Sequence, residues 1–445
     1  MVKRTRAYHP TARGVISEST SDSSDVGINT FLTADPKFRS LRGTATQYET
    51  GKSGATSALS TSALLAPAAD KDDMKRANFI SIQNAHAIAC TGYHQAQVRT
   101  GYEQVIPYRV GSTYAVMAKK SGKVTSLTPT GIIVTYDDGE SVGVEIGRKY
   151  GNAAGLTIPH EIITPLKLND KFEAGEPIAY NSGFFEPDFF NPKHIVWKST
   201  TTVKVALMES TDTLEDSCAI SSRLSGLLST QITKKRTVIV DFGQQVHRLV
   251  KIGDHVESDS ILCVIEDAVS ASAGILDEAS IDTLKTLTAQ APLAKLRGKV
   301  ERIEVFYNGE KEDMSNTIKA IAGESDQRLT SRLRSQGKRA FNGSVDENYR
   351  VENESLQLDT AAIEIYISAE VPAGVGDKGV FVNQLKTVFG RVFPDNVRTQ
   401  SGIPIDAIFG AKSVDDRIVM SPFLIGSATT LLNKIAEKAI ELYES

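Results

Sequence analysis

Gly374-Val375-Gly376-Asp377-Lys378-Gly379-Val380, followed by Gly402-Ile403-Pro404-Ile405-Asp406-Ala407-Ile408, is the stretch on which the reading of this chain turns. Glycines at 376 and 379 permit a turn with positive φ and a close approach between backbone and neighbour. A lysine between them, with apolar strand-like runs on either side, is suited to hold one positive charge against a phosphate. The same residues also allow a plain β-turn whose lysine points to solvent. The choice between the two rests on whether other segments supply matching chemistry.

The chain has 445 residues, enough for about two to four packed units of roughly 100 to 200 residues each. Hydrophobic residues make up 40% and charged residues 23%, the balance of a soluble protein, and no run of about 18 apolar residues offers a membrane span. Met1-Val2-Lys3-Arg4-Thr5-Arg6 is basic but runs into His9-Pro10 without an apolar signal region, so a cytoplasmic protein is expected. Cys90, Cys218 and Cys263 lie far apart in apolar surroundings and read as reduced core residues, not as a disulfide or zinc framework. A net charge of −4 excludes a chain that is basic throughout, so any contact with nucleic acid is local. Lys3, Arg4, Arg6 and Arg13, then Lys234-Lys235-Arg236, then Arg328, Arg332, Arg334, Lys338 and Arg339 are the basic clusters, although a charge run more often marks a solvated face.

Working outward, residues 17 to 72 are rich in Ser, Thr, Gly, Asp and Ala and read largely as loop. Asp72-Asp73-Met74-Lys75-Arg76-Ala77-Asn78-Phe79 starts a helix, with acidic residues at its positive end and Arg76 on it. Residues 103 to 182 predict short strands, with Gly131 to Tyr136 entering an Asp137-Asp138-Gly139 hairpin turn. Two passages repeat a pattern, Leu166-Lys167-Leu168-Asn169-Asp170-Lys171-Phe172 through Ile178 and Val250-Lys251-Ile252-Gly253-Asp254-His255-Val256 through Leu262. In each, an apolar strand enters an Asn/Gly-Asp turn and a second strand leaves it, which predicts two small β units. Helical patterning over 272–297 and 311–340 flanks an expected strand pair at Gly298 to Tyr307, and residues 361 to 410 return to strands. The final helix is amphipathic, with Leu431, Leu432, Ile435, Ala436, Ala439 and Leu442 on one broad face.

Three further positions carry charge suited to phosphate chemistry. Glu215-Asp216 opens the apolar run Ser217-Cys218-Ala219-Ile220, where one carboxylate could bind a hydrated Mg²⁺ and the other pair with a base. A capping pair at a helix start is the other reading. Arg76 and Arg417 offer planar forks suited to bidentate phosphate contact, against the ordinary reading of surface ion pairs such as Arg417 with Asp415 or Asp416. His86, His94, His160, His194, His247 and His255 are scattered, and no Ser/His/Asp, Cys/His or metal-ligand spacing is present.

In order along the chain these pieces resemble the β subunit of multisubunit DNA-directed RNA polymerases. His9-Pro10-Thr11 with Gly14, then Val26-Gly27-Ile28-Asn29, resembles the family's HPTHYGR to NIGL segment. Asp73 to Glu103, ending in Thr100-Gly101-Tyr102-Glu103, resembles NRALMG to GTGME. Thr213-Leu214-Glu215-Asp216-Ser217 resembles NFEDS, Gly376-Asp377-Lys378-Gly379-Val380 resembles GNKGV, Gly402-Ile403-Pro404-Ile405-Asp406 resembles GTPVD, and Asp416-Arg417-Ile418 resembles SRM. Each motif is short; their order is the argument.

The resemblance implies an α+β, mainly β fold: a double-psi β-barrel with barrel-sandwich and flap-like β modules and peripheral helices. It implies four regions: a loop-rich segment at 1–70, a β-rich region at 71–235 with part of the barrel and the first hairpin module, a flap-like module with helices at 236–345, and the rest of the barrel with the C-terminal helix at 346–445. Lys378 would meet phosphates at the RNA 3′ end, Arg76 and Arg417 the triphosphate of the incoming nucleotide, and Glu215 and Asp216 would support the second Mg²⁺. The implied partners are an N-terminal β-like subunit, β′-like subunits that hold most of the Mg²⁺ site, a promoter-specificity subunit, template DNA, RNA transcript and NTPs. The chain would act only within that complex, as the C-terminal part of a split β subunit resembling those of very large bacteriophages, in host cytoplasm or virion. Two departures stand out: Glu370 occupies the place of a second family lysine, and Ser19 to Asp25 replaces an acidic Pro-Gly stretch. Other readings are a phage structural or assembly protein built of β modules, which explains the repeats but not the ordered motifs, and an inactive β-like regulator of a host polymerase.

Overall fold

The computed structural model describes residues 7–46, 48–153, 156–267, 290–351 and 353–444. Strand residues outnumber helical ones, 33% to 23%, so the protein is mainly β, as the turn-punctuated apolar runs predict. Among the described residues no sheet closes into a barrel. The chain forms two compact units, one from residues 1–109, 183–230 and 372–445 and the other from 110–182 and 231–371. Each unit is therefore discontinuous. The loop-rich region 1–70 lies in the first unit, 236–345 lies in the second, and 71–235 and 346–445 are each divided between them.

The second unit contains both turn repeats, and they match bond for bond. Lys167 N–H donates to the Asp170 carboxylate at 2.8 Å, and Lys251 N–H to Asp254 at 2.7 Å. Asn169 (φ 70°) and Gly253 (φ 103°) take the left-handed position that the turn needs. Each turn then docks on a strand that begins Gly-Lys-Val: Val124 N–H donates to the Asp170 carbonyl at 2.9 Å, and Val300 N–H to that of Asp254 at 2.8 Å. In the first copy this strand, Gly122–Thr128, precedes the turn; in the second, Gly298–Asn308 follows it. The reversed order hides the longer repeat from a linear reading. The first copy belongs to a four-stranded sheet and the second to an eight-stranded one.

Residues 298–308 form one continuous strand, not the strand pair expected there, because every second side chain (Val300, Ile303 beyond a bulge, Val305, Tyr307) is buried against Thr360–Val371 and helix Asn316–Ser335. Helicity over 272–289 falls outside the described residues, and 290–297 is extended chain that bridges to Ile261 and Ile265. The three cysteines are buried and unpaired by disulfides, as expected, and burial pushes their thiols up, that of Cys263 to about 11. Four members of the basic clusters at 234–236 and 328–339 are drawn into ion pairs: Lys235 with buried Glu364 (2.5 Å), Arg332 with Glu304 (2.7 Å), Arg328 with Glu324 and Lys338 with Glu145 (each 3.4 Å). Lys3, Arg4 and Arg6 lie outside the described residues.

In the first unit a five-stranded sheet runs in the order Val205–Leu207, Ala407–Phe409, Ser217–Ser221, Leu385–Phe393, Lys378–Phe381. The first four strands alternate between the middle and the end of the chain. Val205–Leu207 is parallel to Ala407–Phe409, and Ser217–Ser221 is parallel to Leu385–Phe393. Parallel partners cannot be joined by a tight turn, so a long crossover must separate them in sequence. Cys218, Ile220, Leu224, Phe389, Phe409 and Val414 form the core beneath this sheet. The start of the chain, expected largely as loop, pairs Ile16–Thr20 with Thr30–Leu32 and is held further by side chains: Thr20 N–H donates to Asn78 Oδ1 at 2.8 Å and Ser60 N–H to Glu18 at 2.8 Å.

Gly298 has no room for a methyl group, which would overlap the Ser368 carbonyl across the strand pair. Gly298→Ala is expected to destabilise the second unit by about 1–3 kcal/mol, read as a lower urea midpoint. Gly323, in a helix with nothing within 4 Å of its would-be Cβ, is the control; Gly323→Ala should be neutral or stabilise by about 0.5–1 kcal/mol.

Candidate functional site

Hydrogen-bond register places the Lys378 motif beside the Glu215-Asp216 motif. Val388 pairs with Lys378 on one side and with Ser217 on the other, and its N–H donates to the Asp216 carbonyl at 3.0 Å. Lys378 and Ser217 are thus two strands apart, about 10 Å between backbones. The lysine starts its strand from a rigid turn. The Asp377 carboxylate accepts from Gly374 N–H at 2.8 Å, Gly376 (φ 93°) donates to the Phe389 carbonyl at 2.8 Å, and Phe389 N–H donates to the Asp377 carbonyl at 2.9 Å. Gly379 is needed for a different reason: a Cβ there would enter the Phe389 ring. Lys378 is exposed, and among the described residues no carboxylate pairs with it.

Glu215 occupies the left-handed region (φ 55°), which turns the chain sharply into strand Ser217–Ser221. Its carbonyl accepts from Ser413 Oγ at 2.8 Å, so helix Ala411–Asp415 is tied to this turn. Two residues beyond that helix, the Arg417 guanidinium donates to the Ser413 carbonyl and to the Asp216 carboxylate. Arg417 is 17% exposed and Asp216 65% exposed. The local pairing with Asp415 or Asp416 is not what forms: Asp416 pairs with Lys412 at 3.0 Å. Nor do Glu215 and Asp216 cap a helix, since the preceding short turn is capped by Ser210 and the pair leads into a strand.

Arg76 lies on helix Met74–Ala85 and packs over Phe79, 5.5 Å from its ring centre. Burial, and next the charge of Arg417, hold its guanidinium below the ordinary value against the pull of Asp72 and Asp73. The charge of Arg417 is thus felt at Arg76, although the two come from distant parts of the chain.

Asp72 brings them there, a role the sequence reading did not assign. Its carboxylate accepts from Met420 N–H (2.7 Å), Ser421 N–H (3.1 Å), Ser421 Oγ (2.5 Å) and Gln384 Nε2 (2.5 Å). One side chain thus clamps the start of helix Met74–Ala85 to the start of helix Ser421–Glu444 and to the Lys378 hairpin, whose turn holds Gln384. The gathering is completed by Gln83 Nε2, which donates to the Gln384 carbonyl at 3.2 Å. Asp72 reads in the sequence as a helix-dipole residue, and nothing local marks its long-range partners.

Arg76, Glu215, Asp216, Lys378 and Arg417 all belong to the first unit, whereas Glu370 lies on strand Thr360–Val371 of the second. Among the described residues no group of three or more His, Cys, Asp or Glu gathers to hold a metal. Asp216 is engaged by Arg417, and Glu215 faces solvent. Among the described residues no helix is long and apolar enough to cross a membrane. No protein-family model matches the sequence, and no curated protein matches it.

Burial pushes the Asp72 carboxyl up, but hydrogen bonds from Ser421, Met420 and Gln384 outweigh it and hold the group below the usual range. A carboxyl depressed in the folded state adds stability above its unfolded value of about 3.9 and loses it as pH falls through the folded value. Asp72→Asn is expected to lower stability by about 1–2 kcal/mol at neutral pH. Thermal melts of both proteins should converge as pH falls below about 4.

Proposed function

We propose that this chain is the C-terminal part of the β subunit of a multisubunit DNA-directed RNA polymerase, and that its first unit supplies the phosphate-facing half of the active site. One observation carries the reading: Arg76, Asp216, Lys378 and Arg417, drawn from four motifs in family order, come together in one unit. A set of unrelated surface turns would have no reason to converge. The alternation of strands around two parallel pairs supports reading the five-stranded sheet as part of a double-psi β-barrel. The matched turns of the second unit support barrel-sandwich and flap-like modules.

Within the assembled enzyme, Lys378 holds the phosphates at the RNA 3′ end, and its rigid turn keeps the charge in place at no reorganisation cost during the reaction. Arg76 and Arg417 bind the triphosphate of the incoming nucleotide, their mutual repulsion offset by its negative charge. Asp216 orients Arg417, and Glu215 contributes to the outer shell of the second metal. Mg²⁺, which the β′-like subunit would chiefly hold, would supply Lewis-acid activation of the RNA 3′ hydroxyl when bound. The N-terminal β-like subunit, the β′-like subunits and a promoter-specificity subunit complete the complex on template DNA.

Purification of the tagged chain from cells that express its natural partners should recover a polypeptide with an NADFDGD-like aspartate motif. Recovery of capsid or tail proteins alone would instead mark a structural protein. In the recovered complex, Lys378→Ala or Arg417→Ala is expected to slow single-nucleotide addition by about 100- to 1,000-fold with subunit composition intact. Unchanged addition rates would remove the catalytic assignment.

A further inference from the structure

Lys378 shares its hairpin with a second lysine. Strand Lys378–Phe381 runs antiparallel to Leu385–Phe393, with Lys378 opposite Val388 and Val380 opposite Lys386. Successive side chains of a strand point to opposite faces. Leu385, Thr387 and Phe389 are buried, and Gly379 abuts the Phe389 ring, so these residues mark the inner face. Lys378, Val380, Lys386 and Val388 form the outer face, and all four are exposed. The two lysines take one diagonal of this patch, about 7–8 Å apart at the backbone. Val380 and Val388 take the other.

Among the described residues no carboxylate pairs with either lysine. Compensation is at hand elsewhere on the same strand, where Arg391 pairs with Asp212 at 3.2 Å. Lysine on an edge strand often serves to block pairing with another sheet. That would account for Lys378, whose strand ends the sheet, but not for Lys386, which lies on the next strand in. The hairpin is also fixed at both ends. Asp377 and Gly376 hold the turn before Lys378. In the turn before Lys386, Val382 (φ 49°) and Asn383 (φ 66°) take the left-handed region, and buried Gln384 anchors it to Ser421 Oγ at 2.7 Å and to Asp72.

Two uncompensated ammonium groups on a rigid frame suit a ligand with two negative groups at a set spacing. Successive phosphates of a nucleic-acid strand are separated by a sugar, whereas those of a triphosphate share bridging oxygens and sit closer together than the two lysine stems. The valines between the lysines offer no hydrogen-bonding side chain to read a base, so contact is to the backbone. We propose that Lys378 and Lys386 form a two-point clamp on successive phosphates of one nucleic-acid strand. Under the polymerase reading, on which the identity of the strand rests, it is the RNA, and Lys386 takes the phosphate next to the one held by Lys378.

The test uses the full chain and a fluorescein-labelled single-stranded RNA of about 12 nucleotides, with anisotropy read over a range of salt concentrations. Each phosphate contact on a single strand contributes about −0.7 to the slope of log K against log salt. Lys386→Ala and Lys378→Ala should therefore each flatten the slope by about 0.7, and the double variant by about 1.4. Both positions are exposed, so the native circular dichroism should be kept. Lys386→Arg should restore the slope, and Lys434→Ala, at a lysine already paired with Glu437, should leave it unchanged. Absence of RNA binding, a slope indifferent to Lys386→Ala, or a Lys386→Ala defect seen with fluorescent ATP but not with RNA overturns the proposal. The polymerase reading fails separately, through its partners and its nucleotide-addition rates.

Discussion

Everything in the candidate site hangs on the parallel pairing of Ser217–Ser221 with Leu385–Phe393. Because a parallel pair needs a crossover, the chain between these strands is free to build the 231–371 part of the second unit and return. The return is in register to one residue: Val388 joins Asp216 to the Lys378 strand, and a slip of one position would turn every side chain to the other face. Phe389 secures that register, buried in the core while its ring fills the space left by Gly379. A buried aromatic of this size contributes about 1.5–3 kcal/mol, enough to decide between neighbouring registers.

On this frame the charges are arranged by contrast. Asp216 and Arg417 neutralise each other, Arg76 is held near Arg417 with carboxylates only at its helix start, and Lys378 stands on a turn whose one carboxylate, Asp377, is consumed by Gly374. The unit thereby presents positive charge on positions that the backbone makes rigid, although the chain as a whole is acidic. Lys235 and Arg332, from the basic clusters of the second unit, are by contrast neutralised there by Glu364 and Glu304. Clustered cations are cheap to place on a surface; cations left without a partner on rigid turns are the ones that point to a ligand.

Much of this was legible locally. The glycine turn around Lys378, the helix start at Asp72-Asp73, the 131–145 hairpin and the two Asp turns rest on short-range backbone chemistry and are found where their residues put them. Order and continuity along the chain are not local properties. Gly298–Asn308 looked like two strands because a bulge near Glu301 interrupts its alternation, and the Gly-Lys-Val strands escaped notice because one precedes its turn and the other follows it. Local spacing offers Arg417 its neighbours Asp415 and Asp416 as partners, whereas Asp216, 201 residues away at the head of the adjoining strand, supplies the pairing.

The sequence by itself determined the residue types and the local turns: a mainly β chain, core cysteines, and cations held beside glycines, all set by side-chain size, φ preference and apolar periodicity. Only the tertiary structure decided which of those cations share a space, because that depends on strand register and on the bonds of Asp72 to residues 384, 420 and 421. The amphipathic stripe of the last helix divides the same way. Its period is local, but the hydrogen bond from Gln97 to Asn433 that ties it to the rest of the first unit joins residues 336 apart, a contact that no local rule predicts.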